Sequence, residues 1–217
     1  MAREDWSGSI RGAVMGGDMD IIRLAIYPPS RSGHDNTEFA GQTFGHFDPL
    51  SETGVDLHMS IYCVKTWEAF QYIATFFPDS FLSSESKCAR LLAHHTELGN
   101  IDMVRHLLDA GADINGGGER TNENPLIIAS RYGHEDIVDL LLERGADPEY
   151  SRLQASGSPL AAAASGGSMN IVRKLLDHGA SPEGSGWEPL YTAIRLEHTA
   201  MVKLFVNLGS WTGRERE

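Results

Sequence analysis

The amino-acid sequence predicts an all-α protein in which pairs of short helices repeat along the chain and stack into a solenoid. Residues 124–149 contain one full copy of the repeating unit. A turn with Pro125 leads into a short apolar helix that ends near Gly133, and an amphipathic second helix then runs to Gly145. Glycine suits helix ends because it accepts a positive φ angle at no steric cost.

The same spacing recurs in three further stretches of the chain. Counted from Pro125, a glycine, a valine and a second glycine stand at offsets of 8, 13 and 20 residues. All three recur after Pro159, and all three recur after Leu91, where only the proline is missing. After Pro189 the valine and the last glycine recur, but Glu197 replaces the middle glycine. Chance does not explain four such agreements, so we interpret them as four copies of one unit.

This unit resembles the ankyrin repeat, which has proline–leucine at its first helix, glycine–histidine between its helices and glycine–alanine–aspartate after its second helix. The stretch 124–149 contains all three signatures: Pro125-Leu126, Gly133-His134 and Gly145-Ala146-Asp147. The resemblance implies that partners bind the concave groove formed by the first helices and the fingers, which are the turns between repeats. Since one helix pair cannot bury its apolar stripe alone, neighbouring repeats share a core, and a terminal repeat needs a polar outer face.

Two weaker copies precede these four and extend the predicted array over the whole chain, 1–217. One begins near Ser9 and ends at Pro28 and Pro29, because proline cannot continue the hydrogen-bond ladder of a helix. The other begins near Asp56. The predicted domain organisation is therefore a single array of six repeats, which start near residues 9, 56, 91, 125, 159 and 189.

A long insertion, residues 30–54, separates the first two predicted repeats. It is rich in glycine, serine, threonine and aspartate and has no helical period, which predicts a loop. Four apolar side chains are unusual for a disordered linker: Phe39, Phe44, Phe47 and Leu50. We therefore expect this loop to pack on the array.

The resemblance to ankyrin repeats also implies where a partner makes contact. In each repeat we define two groove positions, six and seven residues after its start, and we add the fingers to them. Tyrosine, tryptophan and arginine most often dominate binding energy. The candidate partner-binding residues are Tyr62, Arg120, Arg131, Tyr132, Trp187 and Arg195. For each of them the alternative interpretation is a surface residue that packs only on its neighbours.

His95 occupies a position at which the other repeats have alanine or serine. We favour a hydrogen-bonded core histidine, but a titratable group lining a cleft is the second interpretation. That interpretation leads to an alternative function, a small-molecule-binding protein or an enzyme with isomerase-type or cyclase-type acid–base chemistry. Its pocket would lie between the insertion 30–54 and the groove of repeats 2–4. Its candidate catalytic residues are His58, Tyr62, His95, Glu97 and Arg131.

The composition and the remaining motifs argue against several other classes of function. Lysine and arginine total 18 against 30 aspartates and glutamates, which gives a formal charge of −12. Binding to nucleic acid through its phosphates needs a basic surface instead. The glycine-rich stretch 111–120 follows a helix, whereas a phosphate-binding loop precedes one. The histidines and acidic residues of the insertion lack the spacing of a zinc site. We predict a protein partner, no nucleic acid, no cofactor and no metal, and a small molecule only under the alternative.

The sequence also predicts a cellular location. Cys63 and Cys88 are the only cysteines and are most simply two reduced thiols. The first ten residues have no apolar signal core, and no apolar run approaches the length of a membrane span. We therefore expect an intracellular protein that does not cross a membrane, with the cytoplasm as the default over the nucleus.

Overall fold

The structure is a computed structural model, and it describes five stretches of the chain and six single residues near the N-terminus. The stretches are 61–75, 85–116, 124–150, 157–182 and 188–209, and the single residues are 14, 16, 17, 19, 20 and 22. Several predicted features lie outside these residues: the insertion 30–54, His58, Arg120 and Trp187. The chain divides into two compact units, Met1–Ser83 and Ser84–Glu217, and the prediction of a single array over both of them stays a prediction.

The described residues form helices and turns and contain no β-strand, which confirms the all-α prediction. In the unit Met1–Ser83, a 3-10 turn at Ile61–Cys63 precedes helix α1, Trp67–Ala74. The described residues of the unit Ser84–Glu217 form four helix pairs. Their bounds are α2 Glu85–Glu97 and α3 Ile101–Asp109, α4 Pro125–Tyr132 and α5 Glu135–Glu143, α6 Pro159–Gly166 and α7 Met169–Asp177, and α8 Glu188–Arg195 and α9 Thr199–Asn207.

Local chemistry sets both ends of the first helices. The side chain of Asn124 accepts a hydrogen bond from the backbone N–H of Ile127 at 2.8 Å, and Ser158 caps α6 in the same way. In both helices proline follows at the first position, where its missing N–H would have no helical partner in any case. Helices α4 and α6 end at Gly133 and Gly167, whose φ angles are 78° and 76°. The predicted glycine stops are therefore confirmed.

The four pairs stack in chain order: each first helix packs on the next first helix, and the second helices of the first three pairs do the same. Helix α2 packs on α4, α4 on α6 and α6 on α8, while α3 packs on α5 and α5 on α7. Small residues allow this close approach: Ala129 and Ala163 are fully buried. A Cβ atom added to Gly166 would overlap the carbonyl oxygen of Arg131, so only glycine fits where α6 meets α4.

Ion pairs also join successive second helices near the protein surface. Arg144 Nη1 lies 2.7 Å from Asp109 Oδ1, and Lys174 Nζ lies 2.6 Å from Asp139 Oδ2. Each pair links one repeat to the next. Because their side chains remain partly exposed, such pairs contribute about 1 kcal/mol or less each, and the apolar core supplies most of the cohesion.

The last described helix pair leaves an apolar face open. Residues two and five positions after the proline are buried in α4 and α6, where the next helix covers them. In α8 the same positions hold Tyr191 and Ile194, which are 62% and 51% exposed, and Val206 on α9 is 46% exposed. The expectation of a polar outer face on the terminal repeat is therefore wrong for these residues, since here the stacking surface itself faces solvent.

Glu197 stands where a glycine ends the equivalent helices, and it keeps the glycine conformation. Its φ angle is 59°, and it is the one non-glycine residue with a positive φ in the described part of the chain. A backbone hydrogen bond nevertheless closes the turn: the N–H of His198 donates to the carbonyl oxygen of Ala193 at 2.9 Å. Tertiary packing has therefore imposed a costly backbone conformation on a glutamate.

Replacing Leu141 with aspartate should destabilise the array by about 3 kcal/mol or more, because it buries an unpaired carboxylate at a fully buried position. The matched control is Leu98→Asp, the same change at a side chain that is 59% exposed, and it should cost about 0.5 kcal/mol or less. Urea unfolding followed by circular dichroism measures both. Equal midpoints would contradict the assigned core.

Replacing Glu197 with glycine should stabilise the fold by about 1 kcal/mol, because it removes the steric cost of the positive φ angle. Glu197→Ala is the control: it removes the same charge but keeps a Cβ atom, so it should give no comparable gain. Thermal unfolding of the two variants and the parent separates these effects. The idea fails if alanine stabilises as much as glycine does.

Candidate functional site

A shallow pocket lies over α6 because this helix has smaller side chains than its neighbours. At the first groove position α6 has Ser165, whereas α4 and α8 have Arg131 and Arg195. At the second groove position α6 has Gly166, between a tyrosine and a leucine. The resulting pocket has a volume of about 150 Å³. The residues that line it include Arg131, Ala161, Ser165, Glu188, Thr192 and Arg195.

Charge is distributed unevenly along this pocket. Arg131 and Arg195 occupy equivalent positions near the C-terminal ends of α4 and α8, so both lie toward the same end. Glu188 is the first residue of α8, beside Gly157 at the finger end. Arg195 follows Glu188 by seven positions in α8, which corresponds to roughly 10 Å along the helix axis. The residues that line the pocket thus include two arginines toward one end, which we call its positive end, and one glutamate toward the other.

A second cluster on the same surface joins α2 to α4. The hydroxyl group of Tyr132 donates a hydrogen bond to Glu97 Oε1 at 2.9 Å, and Nε2 of His134 lies 3.0 Å from the carbonyl oxygen of Glu97. The rings of Tyr132 and His134 stack with their centroids 6.3 Å apart. These contacts hold the tyrosine ring in place although it is 52% exposed. A large aromatic side chain is thus presented to solvent in one orientation.

His95 lies in the core of α2 and is fully buried. Neither of its ring nitrogens has a hydrogen-bond partner among the described residues, so the expected hydrogen-bonded core histidine is not what the structure contains. Its ring meets that of His94 edge to face, with centroids 5.7 Å apart. Burial, together with a smaller effect of the neighbouring His94, lowers the pKa of His95 to about 4. The histidine is therefore a neutral, desolvated group near pH 7.

The structure brings some of the predicted residues together and leaves others apart. Arg131 and Arg195 share the pocket over α6, and Glu97 and Tyr132 share a hydrogen bond. Tyr62 belongs to the unit Met1–Ser83, where its side chain is half-buried in the 3-10 turn. The remaining candidates lie outside the described residues: His58, Arg120 and Trp187.

Sequence reasoning gave no role to Glu188 and Thr192, which line the pocket beside the arginines. The available signal was the run of small residues in α6, PLAAAASG, between two first helices with larger side chains. That contrast marks a recess in a stacked array. Burial raises the pKa of the Cys88 thiol, so this cysteine is a poor nucleophile at neutral pH.

The described part of the chain contains no group of three or more histidine, cysteine, aspartate and glutamate side chains arranged to hold a metal ion. None of the helices in this part has both the length and the apolar character that a membrane crossing needs.

Comparison with known proteins identifies the family. The family model for ankyrin repeats (3 copies) matches residues 68–152 and 150–212, which is more than half of the chain and includes all four stacked helix pairs. The chain therefore belongs to the ankyrin repeat family, as its motifs predicted. No curated protein matches the chain. The copy predicted near residue 9 lies outside the matched ranges, so a total of six repeats stays a prediction.

The pKa of His95 predicts how stability changes with pH. The pKa of this histidine is about 6.5 in the unfolded chain and about 4 in the folded protein. Between these values the unfolded state binds more protons, so stability falls as the pH falls through this window. The shift corresponds to a total loss of about 3 kcal/mol, which is complete only below about pH 4.

This pH dependence can be measured by urea unfolding at several pH values between 4 and 7. His95→Ala, the residue of the sister repeats, should remove this contribution, so the difference between the variant and the parent isolates it from carboxylate titration. His94→Ala should keep most of the effect, because burial is the larger cause. Parallel stability curves for the parent and His95→Ala would show that the histidine does not titrate in this way.

Proposed function

We propose that this protein is a binding module that recognises a protein partner through its concave groove and fingers, as an adaptor, an inhibitor or an assembly subunit. Ankyrin repeats generally act as modules for protein–protein interaction. The observation that carries the proposal is the pocket over α6, which Arg131 and Arg195 line together with small side chains such as Ala161 and Ser165. Arginine and tyrosine are the residue types most often found at binding hot spots.

An exposed aromatic side chain at a groove position of α4 supports the proposal. Tyr132 is 52% exposed and is held by Glu97 and His134. A side chain that is already ordered loses less entropy when a partner binds it. We therefore place the centre of the interface on α4, α6 and α8. By family resemblance we add Arg120 and Trp187 of the fingers, and Tyr62 of the other unit.

The size of the pocket favours this function over a small-molecule site. Typical ligand pockets have volumes of about 300–1,000 Å³, whereas the pocket over α6 has about 150 Å³. This volume suits one or two side chains of a partner better than a whole substrate. The alternative acid–base site depends on residues 30–54 and His58, which lie outside the described residues, and on His95, which is fully buried. No observation on the described residues favours it, and we keep the binding module as the conclusion.

The test begins with a partner captured from native extract at a stoichiometric level, identified by mass spectrometry and then purified. The variant Arg131→Ala/Tyr132→Ala/Trp187→Ala should weaken its binding by at least about 2 kcal/mol, the size of a hot-spot loss. Isothermal titration calorimetry gives the dissociation constants, and circular dichroism should remain unchanged.

The control for this experiment places changes on the other side of the array. Arg105 and Arg173 are exposed on α3 and α7 and occupy equivalent positions of their repeats. The double variant Arg105→Ala/Arg173→Ala should bind the partner as the parent does. Full binding by the folded groove variant together with weakened binding by this control would move the interface to the second helices.

A further inference from the structure

We propose that the positive end of the pocket over α6 binds an acidic side chain, aspartate or glutamate, of the partner protein. This inference rests on the proposed function and assigns the partner's chemistry at one place in the groove. It starts from the two arginines, which line one pocket although 64 residues of sequence separate them.

The arrangement of donors at this end fits a carboxylate. A guanidinium group presents several N–H donors in a planar fork that matches the two oxygens of a carboxylate. Arg131 and Arg195 line the pocket together with Ser165 and Thr192, which carry hydroxyl groups. An anion in this recess can accept hydrogen bonds from such side chains, and the positive charge of the arginines attracts it. A neutral side chain lacks this attraction, and a basic side chain is repelled.

The backbone fixes where Arg131 projects from. The absence of a Cβ atom at Gly166 brings α6 against the carbonyl oxygens of Ser130 and Arg131, so the end of α4 is packed directly on the floor of the pocket. Ser165 then leaves open the space that a larger residue would fill. The recess thus arises from a short stretch of α6, and the arginines beside it come from the two helices that pack on α6, namely α4 and α8.

The pocket is lined by two arginines although the protein as a whole is acidic. The whole chain has a formal charge of −12, so long-range attraction would favour a basic partner. Short-range complementarity at the arginines therefore selects one acidic residue on such a partner and not an acidic protein as a whole. Glu188 at the opposite end disfavours a second acidic side chain there. We infer a partner segment whose acidic residue lies at the arginine end and whose basic or neutral residue lies near Glu188.

The test uses a defined probe, a capped hexaglutamate peptide, with capped hexaglutamine as the uncharged control. Hexaglutamate should bind the parent protein saturably in low salt and more weakly as salt is added, and hexaglutamine should not bind. The variant Arg131→Ala/Arg195→Ala should bind hexaglutamate at least tenfold more weakly. The matched variant Arg105→Ala/Arg173→Ala, which removes the same charge elsewhere, should change the affinity less than twofold.

A gain of affinity provides an independent readout. Glu188→Gln removes the carboxylate that lines the same pocket, and it should strengthen hexaglutamate binding about twofold in low salt. A folding defect would not produce this result. Calorimetry gives the affinities, and shifts of the arginine side-chain signals in NMR spectra locate the probe.

The outcomes separate this inference from the proposed function. Equal losses in the two arginine pairs, or no saturable binding of hexaglutamate up to about 10 mM, would overturn the acidic-side-chain site. The proposed groove interface would still stand if the captured partner lost affinity for the groove variant. Conversely, specific hexaglutamate binding combined with a partner whose affinity does not depend on Arg131 and Arg195 would show that the pocket can bind an anion, but it would overturn the inference that the pocket holds the partner's acidic side chain.

Discussion

The structure depends on one constraint: a helix pair of this size can bury its apolar surface only against a neighbouring pair. Leu141 and Leu175 are fully buried because second helices stack on one another, and Ala129 and Ala163 are fully buried where the first helices do. The same constraint explains why large side chains are exposed on the last described helix pair. Tyr191 stands at a position that is buried in α4 and α6, and it is exposed because no further helix covers it in the described part of the chain.

The groove follows from how that constraint is met in α6. Close packing against α4 requires a glycine at position 166, and the other residues of α6 are small as well. Small side chains that satisfy packing on one side of a helix leave a recess on the other side. Arginines on the two flanking helices then stand at its edge, and stacking thereby turns a local run of alanine into a charged pocket.

Two residues show that the array tolerates local cost. Glu197 keeps a φ angle of 59° where the sister repeats have glycine, and His95 is buried without a hydrogen-bond partner among the described residues where the sister repeats have alanine or serine. In both cases the packed neighbours outweigh an unfavourable local term. A stack with nearest-neighbour cohesion can accept such residues one at a time, because the remaining interfaces still hold the repeat in place.

The sequence by itself determined the helix pairs, their glycine ends and their membership of the ankyrin repeat family. Capping by Asn124, termination at Gly133 and the apolar period of α5 involve residues only a few positions apart, so the chain encodes them locally. It also indicated Arg131, Tyr132 and Arg195 as groove residues, through their place in the repeat. Only the tertiary structure decided that the two arginines share one pocket, that Tyr132 bonds to Glu97 and that the nitrogens of His95 have no hydrogen-bond partner among the described residues. Those outcomes depend on side-chain volumes across adjacent helices, which spacing along one chain does not specify.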